Sequence, residues 1–297
     1  MARPELREAL KRGETVLAPA VWDAVTARLM RHLGFKNLYV PGSGTGVVVG
    51  ESEPLLSFSQ MASVAETVSE AVSDELPVIV DIQHGFGEPV HVQLTIRAME
   101  DAGASAVHIE DQVFPQRVHY FAGVEHVVSL EDYQQRVEYA VKARKSRDFL
   151  IIARNDIYHA VEGGTREAAV KRAHAALEVG ADAIFITGIK GTDDLRYFRK
   201  EIRDAPLVAL PFGGPDALAI SDYKGLGYQI LLFIQSLHVG LRALNGVYKT
   251  LKDTGRVPEV PPDKAERLRG VTNKLLRFEE RWAVEAATTE NVPQGSH

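Results

Sequence analysis

The sequence predicts an α/β fold, a closed (β/α)8 TIM barrel, from the arrangement of its short apolar runs. Four runs repeat one pattern, in which a small or apolar residue and a glycine precede a β-rich stretch, at 33–42, 102–111, 179–188 and 226–235. The glycine suits the left-handed residue that ends a helix, and a buried strand is expected to follow it. Four further apolar runs, at 16–20, 76–82, 149–155 and 206–212, bring the candidate strands to eight.

Amphipathic segments separate these runs, for example at 22–33, 92–102 and 166–179. Because the runs are continuously apolar rather than alternating, they are typical of parallel strands covered by helices. Eight such strands fit a closed barrel. An open doubly wound sheet is the competing architecture, but the glycine-rich dinucleotide loop that it would carry after its first strand is missing from VLAPAVWDA.

The chain is expected to form one domain, with the barrel over residues 1–255 and a C-terminal helical extension over 256–297. The extension is highly charged from residue 260, yet it has apolar residues at roughly helical spacing: Leu268, Val271, Leu275, Phe278 and Trp282. We expect a helix that packs on the barrel or on a neighbouring subunit. The final PQGSH is expected to be disordered.

Composition excludes several functions. The net charge of -6, with both signs interspersed, provides no basic stripe, so nucleic acid is not an expected partner. The absence of cysteine excludes disulfides, thiolate metal sites and a cysteine nucleophile. The charged N-terminus does not resemble a signal peptide, and no apolar run reaches the roughly 18 residues of a membrane span. We therefore expect a cytoplasmic protein without a membrane partner.

Polar side chains stand where several predicted strands end. In a parallel barrel these ends converge on one mouth, which is where ligands bind. The residues are Ser43 after the second strand, Asp81, Gln83 and His84 after the third, Glu110 after the fourth and Arg154 after the fifth. We expect them to form one cluster.

Asp81 and Glu110 predict a metal site. Two carboxylates at neighbouring strand ends repel each other unless a proton or a cation lies between them, and hard oxygen ligands suit Mg²⁺. The alternative is that each carboxylate caps a helix or pairs with Arg154.

Arg154 predicts an anionic substrate. Its planar fork of donors can grip a carboxylate or phosphonate at two points. The alternative is a structural ion pair with Asp156 or Glu110. The stretch Gly42-Ser43-Gly44 can point backbone N–H groups at the same anion, although such a stretch is also typical of a simple tight turn.

Two connections at the mouth are candidates for mobile loops. Gly85-Phe86-Gly87 supplies hinge-like freedom, and residues 110–128 form a long connection without clear periodicity. Long loops at a barrel mouth commonly close over the substrate, although a rigid loop is the alternative. His84 and His119 lie in these segments and are candidate proton carriers, whereas His108 is expected to be a hydrogen-bonded core residue.

Taken together, these motifs resemble the isocitrate lyase and phosphoenolpyruvate mutase superfamily from about residue 5 to 255. The matching segments are Gly-Ser-Gly after the second strand, Val-Asp-x-x-x-Gly-Phe-Gly at 80–87, His-Ile-Glu-Asp-Gln at 108–112 and Ile-Ala-Arg-Asn-Asp at 152–156. The combination is specific, whereas any one of the motifs is not.

The resemblance implies a Mg²⁺-dependent barrel, with Mn²⁺ as an alternative ion, that breaks or makes a bond next to a 2-oxo acid through an enolate. It also implies a homotetramer that exchanges its last helix between subunits. The implied roles are metal acids for Asp81 and Glu110, a substrate-carboxylate arginine for Arg154, and an anion-binding loop for Tyr39, Gly42 and Ser43. Tyr39 and Arg154 are also expected among the catalytic residues.

The sequence departs from the superfamily pattern at three places and keeps one further acid. Gln83 replaces a second metal-side aspartate, and its amide is expected to hydrogen-bond a metal-bound water. Glu53 matches the acid of the loop after the second strand, and Thr187 replaces a glutamate after the sixth. The lyases carry Lys-Arg-Cys-Gly-His, whose cysteine is the acid/base, where this chain has residues 116–120, Gln-Arg-Val-His-Tyr.

The leading functional prediction is a metal-dependent lyase that cleaves a carbon–carbon bond in a small 2-oxo or 2-hydroxy carboxylate, with His119 or Tyr120 in place of the cysteine. A phosphonopyruvate hydrolase or mutase and an oxaloacetate decarboxylase are alternatives of the same fold. A barrel that binds a metabolite without turning it over is the alternative from another class.

Overall fold

The computed structural model describes residues 3–72, 75–160, 162–211, 217–257 and 261–289. The chain forms two compact units, Met1–Leu237 and His238–His297. The proposed boundary after residue 255, and the assignment of both parts to one domain, stay predictions. The PQGSH tail and Phe212, the last residue of the seventh apolar run, lie outside the described residues.

The first unit contains all eight predicted strands in one parallel sheet. The sheet closes between its first and second strands, where the Val21 N–H donates to the Tyr39 carbonyl oxygen at 2.8 Å. This arrangement confirms the predicted (β/α)8 barrel. The strands are β1 Val16–Pro19, β2 Leu38–Val40, β3 Val78–Asp81, β4 Ala106–Ile109, β5 Leu150–Asn155, β6 Ala183–Ile186, β7 Leu207–Ala209 and β8 Tyr228–Phe233.

Helices follow the strands, and several begin at the side-chain caps that their sequences supply. The Asp23 carboxylate accepts from the Thr26 N–H at 2.7 Å, and the Ser129 hydroxyl accepts from the Asp132 N–H at 3.0 Å. The helices are α1 Pro4–Lys11, α2 Ala24–His32, α3 Gly42–Val49, α4 Phe58–Ala71, α5 Pro89–Asp101, α6 Leu130–Ala143, α7 Arg166–Glu178, α8 Thr192–Glu201, α9 Ile220–Gly225 and α10 Ser236–Thr254, the last of which spans the division between the units.

Strand side chains alternate between two apolar layers. Ile79 and Ile152 belong to the layer inside the barrel, whereas their neighbours Val80 and Ile151 pack in the layer shared with the helices. Successive side chains of a strand point to opposite faces, so Asp81 and Arg154, two residues beyond Ile79 and Ile152, face the barrel interior. The alternation thus positions both charged groups above the inner core.

The second unit differs from the single helix predicted for the C-terminal extension. It contains two helices after α10, α11 Pro262–Leu275 and α12 Phe278–Thr288. Arg277 between them adopts a left-handed conformation with φ 58°, and its Nε donates to Glu280 at 2.8 Å. A left-handed residue interrupts the helical hydrogen-bond ladder, and apolar spacing alone did not reveal this break.

Among the residues that the structure describes, no helix combines the length and the apolarity that crossing a membrane requires.

Candidate active site

Arg154 lies at the centre of the cluster at the carboxyl ends of the strands. Its Nη1 is 3.1 Å from Glu110 Oε2 and 3.6 Å from Asp81 Oδ2. Its Nε and Nη2 donate to the two oxygens of Asp156 at 3.0 and 3.1 Å. The structure therefore brings Asp81, Glu110 and Arg154 together, and Arg154 makes both of the ion pairs considered as alternatives from the sequence.

Asp81 is fixed by backbone donors from two segments. The Gln83 N–H donates to Asp81 Oδ1 at 2.8 Å, and the Gly42 N–H lies 3.3 Å from Asp81 Oδ2. Gln83 adopts φ 50°, a left-handed conformation that is strained for this residue type. Its side-chain amide donates to the Glu53 carbonyl oxygen at 2.6 Å, which helps to hold that conformation.

Glu53 places a further buried carboxylate beside Asp81. It begins the short 3-10 helix Glu53–Leu55, and a Cβ at Gly42 would lie only 2.4 Å from its Oε1. A glycine at position 42 is therefore needed for this close approach. Burial, and then the neighbouring charge of Asp81, raises the pKa of Glu53 to about 8.

Glu110 is buried under amide and guanidinium donors. The Gln116 amide donates to Glu110 Oε1 at 3.1 Å and to Gln112 Oε1 at 3.0 Å. The Arg136 guanidinium donates to the Glu110 carbonyl oxygen at 2.6 Å. Burial raises the pKa of Glu110 well above its ordinary value, and the charge of Arg154 only partly opposes this effect.

This cluster fits a divalent cation. Glu53, Asp81 and Glu110 bring three buried carboxylates to one guanidinium, which already contacts Asp156. Gln83 Oε1 is also buried and has no hydrogen-bond partner among the described residues. Hard oxygen donors with an excess of negative charge suit Mg²⁺ or Mn²⁺.

His108 and Tyr39 form the floor beneath these acids. The Tyr39 hydroxyl and His108 Nε2 are 2.8 Å apart, and His108 Nδ1 is 3.6 Å from Asp81 Oδ1. Burial lowers the pKa of His108 to about 4, so its ring is neutral at physiological pH and does not offset the carboxylates. The expectation that His108 is a hydrogen-bonded core residue is confirmed.

A second acidic group lies beside the first. Ligand atoms of Glu125, Asp156 and His159 all lie within 4.8 Å of one another, a spacing that a metal site can have. However, Asp156 already binds Arg154 and accepts from the Gln112 amide at 2.7 Å. The cluster of Asp81 and Glu110 therefore offers the better set of oxygens for an ion.

The stretch Gly42-Ser43-Gly44 is helical, not the tight turn or loop considered from the sequence. It forms the first turn of α3, in which Ser43 is half-buried. Side chains are absent at three glycines of this helix, so neighbouring segments can approach its backbone closely. The N–H of Gly42, the first residue of this helix, faces the mouth, where it contacts Asp81.

The candidate proton carriers lie in different environments. His119 is exposed, within the short 3-10 helix Val118–Ala122, and the side chain of Tyr120 lies outside the described part of the chain. His84 is buried, and its Nδ1 accepts from the Phe86 N–H at 3.0 Å. Burial lowers the pKa of His84 to about 3, so it is poorly suited to proton transfer near neutrality.

Sequence reasoning assigned no role to Glu125 and His159. Glu125 lies in the connection 110–128, whose lack of periodicity gave no signal. His159 comes four residues after the end of β5, so its closeness to a strand end was the one available indication.

Comparison with known proteins places this barrel in a family. The family described as phosphoenolpyruvate phosphomutase matches residues 6–251. A 2-methylisocitrate lyase of Aeropyrum pernix is 34% identical over 259 residues, which are 86% of this chain and 81% of the relative. The chain therefore belongs to the phosphoenolpyruvate phosphomutase family, within the superfamily that also contains isocitrate lyase.

Solved structures agree with this assignment. The crystal structure of a 2,3-dimethylmalate lyase, a member of this superfamily, has a TM-score of 0.86 at 28% identity and covers 100% of this chain and 99% of its own. A phosphonopyruvate hydrolase in complex with oxalate and Mg²⁺ has a TM-score of 0.82 at 27% identity, covering 98% and 100%. This protein is thus an enzyme of a superfamily that includes carbon–carbon lyases.

The raised pKa of Glu53 predicts how stability depends on pH without added metal. Between its ordinary value of 4.5 and about 8, the folded protein retains a proton that the unfolded chain releases. The Glu53 contribution is therefore fully present below pH 4.5 and is lost as pH rises through 8. We expect the free energy of unfolding to fall by about 1 kcal/mol per pH unit on this account.

Urea unfolding of the wild type, Glu53→Gln and the exposed control Glu66→Gln at several pH values measures this dependence. Glu53→Gln should reduce the slope, and the control should leave it unchanged. An identical slope in all three proteins would show that Glu53 is not the buried acid described above.

Proposed function

We propose that this protein is a divalent-metal-dependent lyase that cleaves a carbon–carbon bond in a small 2-oxo or 2-hydroxy carboxylate. The observation that carries the proposal is the set of buried carboxylates, Glu53, Asp81 and Glu110, gathered around the Arg154 guanidinium. Asp81 and Glu110 would hold Mg²⁺, with Mn²⁺ as an alternative, and the Gln83 amide would hydrogen-bond a water of the ion. When bound, the ion supplies Lewis-acid stabilisation of a developing enolate oxyanion.

Arg154 and the first residues of α3 are the proposed substrate-binding groups. The guanidinium is held side-on by Asp156 through Nε and Nη2, so its Nη1 edge faces the acids and the mouth. We assign this edge to the substrate carboxylate. The backbone of Gly42 and Ser43, at a helix N-terminus, favours a second anionic oxygen, and Tyr39 lies beneath it.

Cleavage needs two proton movements. A base removes the hydroxyl proton, so that C–O becomes C=O while the electrons of the breaking carbon–carbon bond pass to the neighbouring carbon. An acid then protonates that carbon. We assign the acid to His119 or Tyr120. Since His119 is exposed, this assignment requires the connection 110–128 to close over the substrate.

The second unit supports a proposal about assembly. Several of its large apolar side chains are exposed: Leu268, Trp282 and Val284. Exposed apolar residues on helices are typical of subunit interfaces. We propose a homotetramer that exchanges its C-terminal helices. Light scattering coupled to size-exclusion chromatography tests it: a tetrameric mass is expected, and a monomer at micromolar concentration contradicts it.

A phosphonopyruvate hydrolase or mutase activity is the second candidate. It is favoured by the similarity to the phosphonopyruvate hydrolase that was solved with oxalate and Mg²⁺. Phosphorus NMR on phosphonopyruvate distinguishes the candidates, because loss or migration of the phosphonate signal favours the second, and an unchanged signal excludes it. Oxaloacetate in the same panel tests a decarboxylase, and binding without any product favours a non-catalytic barrel.

Removal of either proposed metal acid should weaken ion binding. We expect Asp81→Asn and Glu110→Gln to lower Mg²⁺ affinity at least tenfold, on the order of the losses seen when metal-site groups are removed. Calorimetric titration with Mg²⁺ alone measures the effect, with Glu66→Gln as the control. Mg²⁺ affinity equal to that of the wild type in both variants would place the ion elsewhere.

Loss of the proposed acid should slow turnover without loss of binding. We expect His119→Ala or Tyr120→Phe to reduce kcat about a hundredfold, the usual range for one acid–base group. Oxalate affinity should stay near the wild-type value, because neither group belongs to the proposed anion site. If both variants turn over at the wild-type rate, the acid is another residue.

A further inference from the structure

His159 connects a buried glutamate to the barrel mouth. It ends the short 3-10 helix Ile157–His159, and both of its ring nitrogens have partners. Nδ1 is 3.0 Å from Glu125 Oε1, and Nε2 is 2.8 Å from the Thr187 hydroxyl. With a carboxylate on Nδ1 and a hydroxyl on Nε2, the ring has a defined orientation, and its protonated form can donate to both partners.

The contacts continue from Thr187 to Arg154. The Thr187 hydroxyl donates to Asp156 Oδ1, and Asp156 accepts from Arg154 Nε and Nη2. A hydroxyl has one proton and a carboxylate only accepts, so the proton on Thr187 lies toward Asp156. The Thr187 hydroxyl must then accept from an Nε2–H of His159. Each donor in the series from His159 through Thr187 therefore points toward Asp156.

The His159 imidazole packs into space that the missing side chain of Gly188 leaves open. A Cβ at Gly188 would lie 2.3 Å from His159 Cδ2 and 2.7 Å from its Cγ. Gly188 also has φ +72°, a conformation that disfavours any other residue type. The ring therefore packs directly on the backbone after β6, which fixes its distance to Thr187.

We propose that His159, oriented by Glu125 and Gly188, is a positioning residue that holds the Arg154 guanidinium through Thr187 and Asp156 in the orientation that binds the substrate carboxylate. This inference rests on the proposed function, in which Arg154 grips that carboxylate. His159 acts through its neighbours, and a substrate need not touch it.

The charges around the imidazole favour its protonated form. Burial opposes a charge on His159, but the hydrogen bond and charge of Glu125, with the charge of Asp156, outweigh burial and the repulsion of Arg154 and raise its pKa. The imidazolium donates through both nitrogens, to Glu125 and to Thr187. It loses one donated bond when pH rises through its pKa, so the hold on Arg154 weakens toward high pH.

Oxalate, a small dianion, tests the inference with Mg²⁺ kept saturating. We expect His159→Asn and Glu125→Gln to weaken oxalate affinity about tenfold at pH 6.5, by analogy with the losses that follow when groups orienting a metal ligand are mutated. The wild-type affinity should decrease from pH 6.5 to 8.5, and both variants should show a flatter profile. His174→Asn, an exposed histidine on α7, is the matched control.

Two further measurements separate positioning from a structural role. Mg²⁺ affinity should not change in the variants, since His159 does not contact Asp81 or Glu110 in the described structure. Gly188→Ala retains His159, but its added Cβ displaces the imidazole ring, so this variant should also weaken oxalate binding. If His159→Asn does not fold, Gly188→Ala tests the proposal in its place.

The outcomes distinguish this inference from the proposed function. If the wild type binds Mg²⁺ and oxalate but the variants bind oxalate with the same affinity and pH profile, the positioning role is overturned and the proposed function stands. If the wild type binds neither Mg²⁺ nor oxalate, the proposed function fails and the positioning role fails with it.

Discussion

The site depends on the burial of several carboxylates around a single guanidinium. Arg154 contacts Glu110, Asp81 and Asp156 at 3.0 to 3.6 Å, and Glu53 adds another acid within the same buried cluster. One positive charge cannot balance four negative ones in a region of low dielectric, so protons or a cation must supply the remainder. Burial first, and then the charges of the neighbouring carboxylates, raise the pKa values of Glu53 and Glu110. A divalent ion would satisfy the same need and leave the acids ionised.

Residues that follow the strands adopt strained backbone conformations, and these conformations help to hold this arrangement. Gln83 and Phe86 adopt left-handed conformations with φ 50° and 62°, and the missing side chain of Gly42 lets Glu53 approach the backbone. These features lie at the carboxyl ends of strands whose inner faces are otherwise apolar. Strain of this kind persists only where the surrounding packing enforces it, which is the situation above a closed parallel sheet. The geometry of the site therefore depends on the conformations of the first residues after the strands.

Much of this architecture could be predicted because it depends on local patterns. The eight strands follow from continuous apolar runs, and the alternation of side chains then directs Asp81 and Arg154 toward the mouth. The helical form of Gly42–Val49 was missed because three glycines and three valines have low helix propensity, and only the packing of the barrel imposes a helix there. The pair of Glu125 and His159 was missed because it joins residues 34 positions apart through space. The break at Arg277 depends on one backbone conformation that no local residue preference signals.

The most direct test of the central claim is to locate the ion. Crystals grown with Mn²⁺ and oxalate should show one anomalous peak between the carboxylates of Asp81 and Glu110, with oxalate bridging the ion and the Arg154 guanidinium. A peak at Glu125 and His159, or oxalate bound away from Arg154 with no metal at Asp81, would contradict the account.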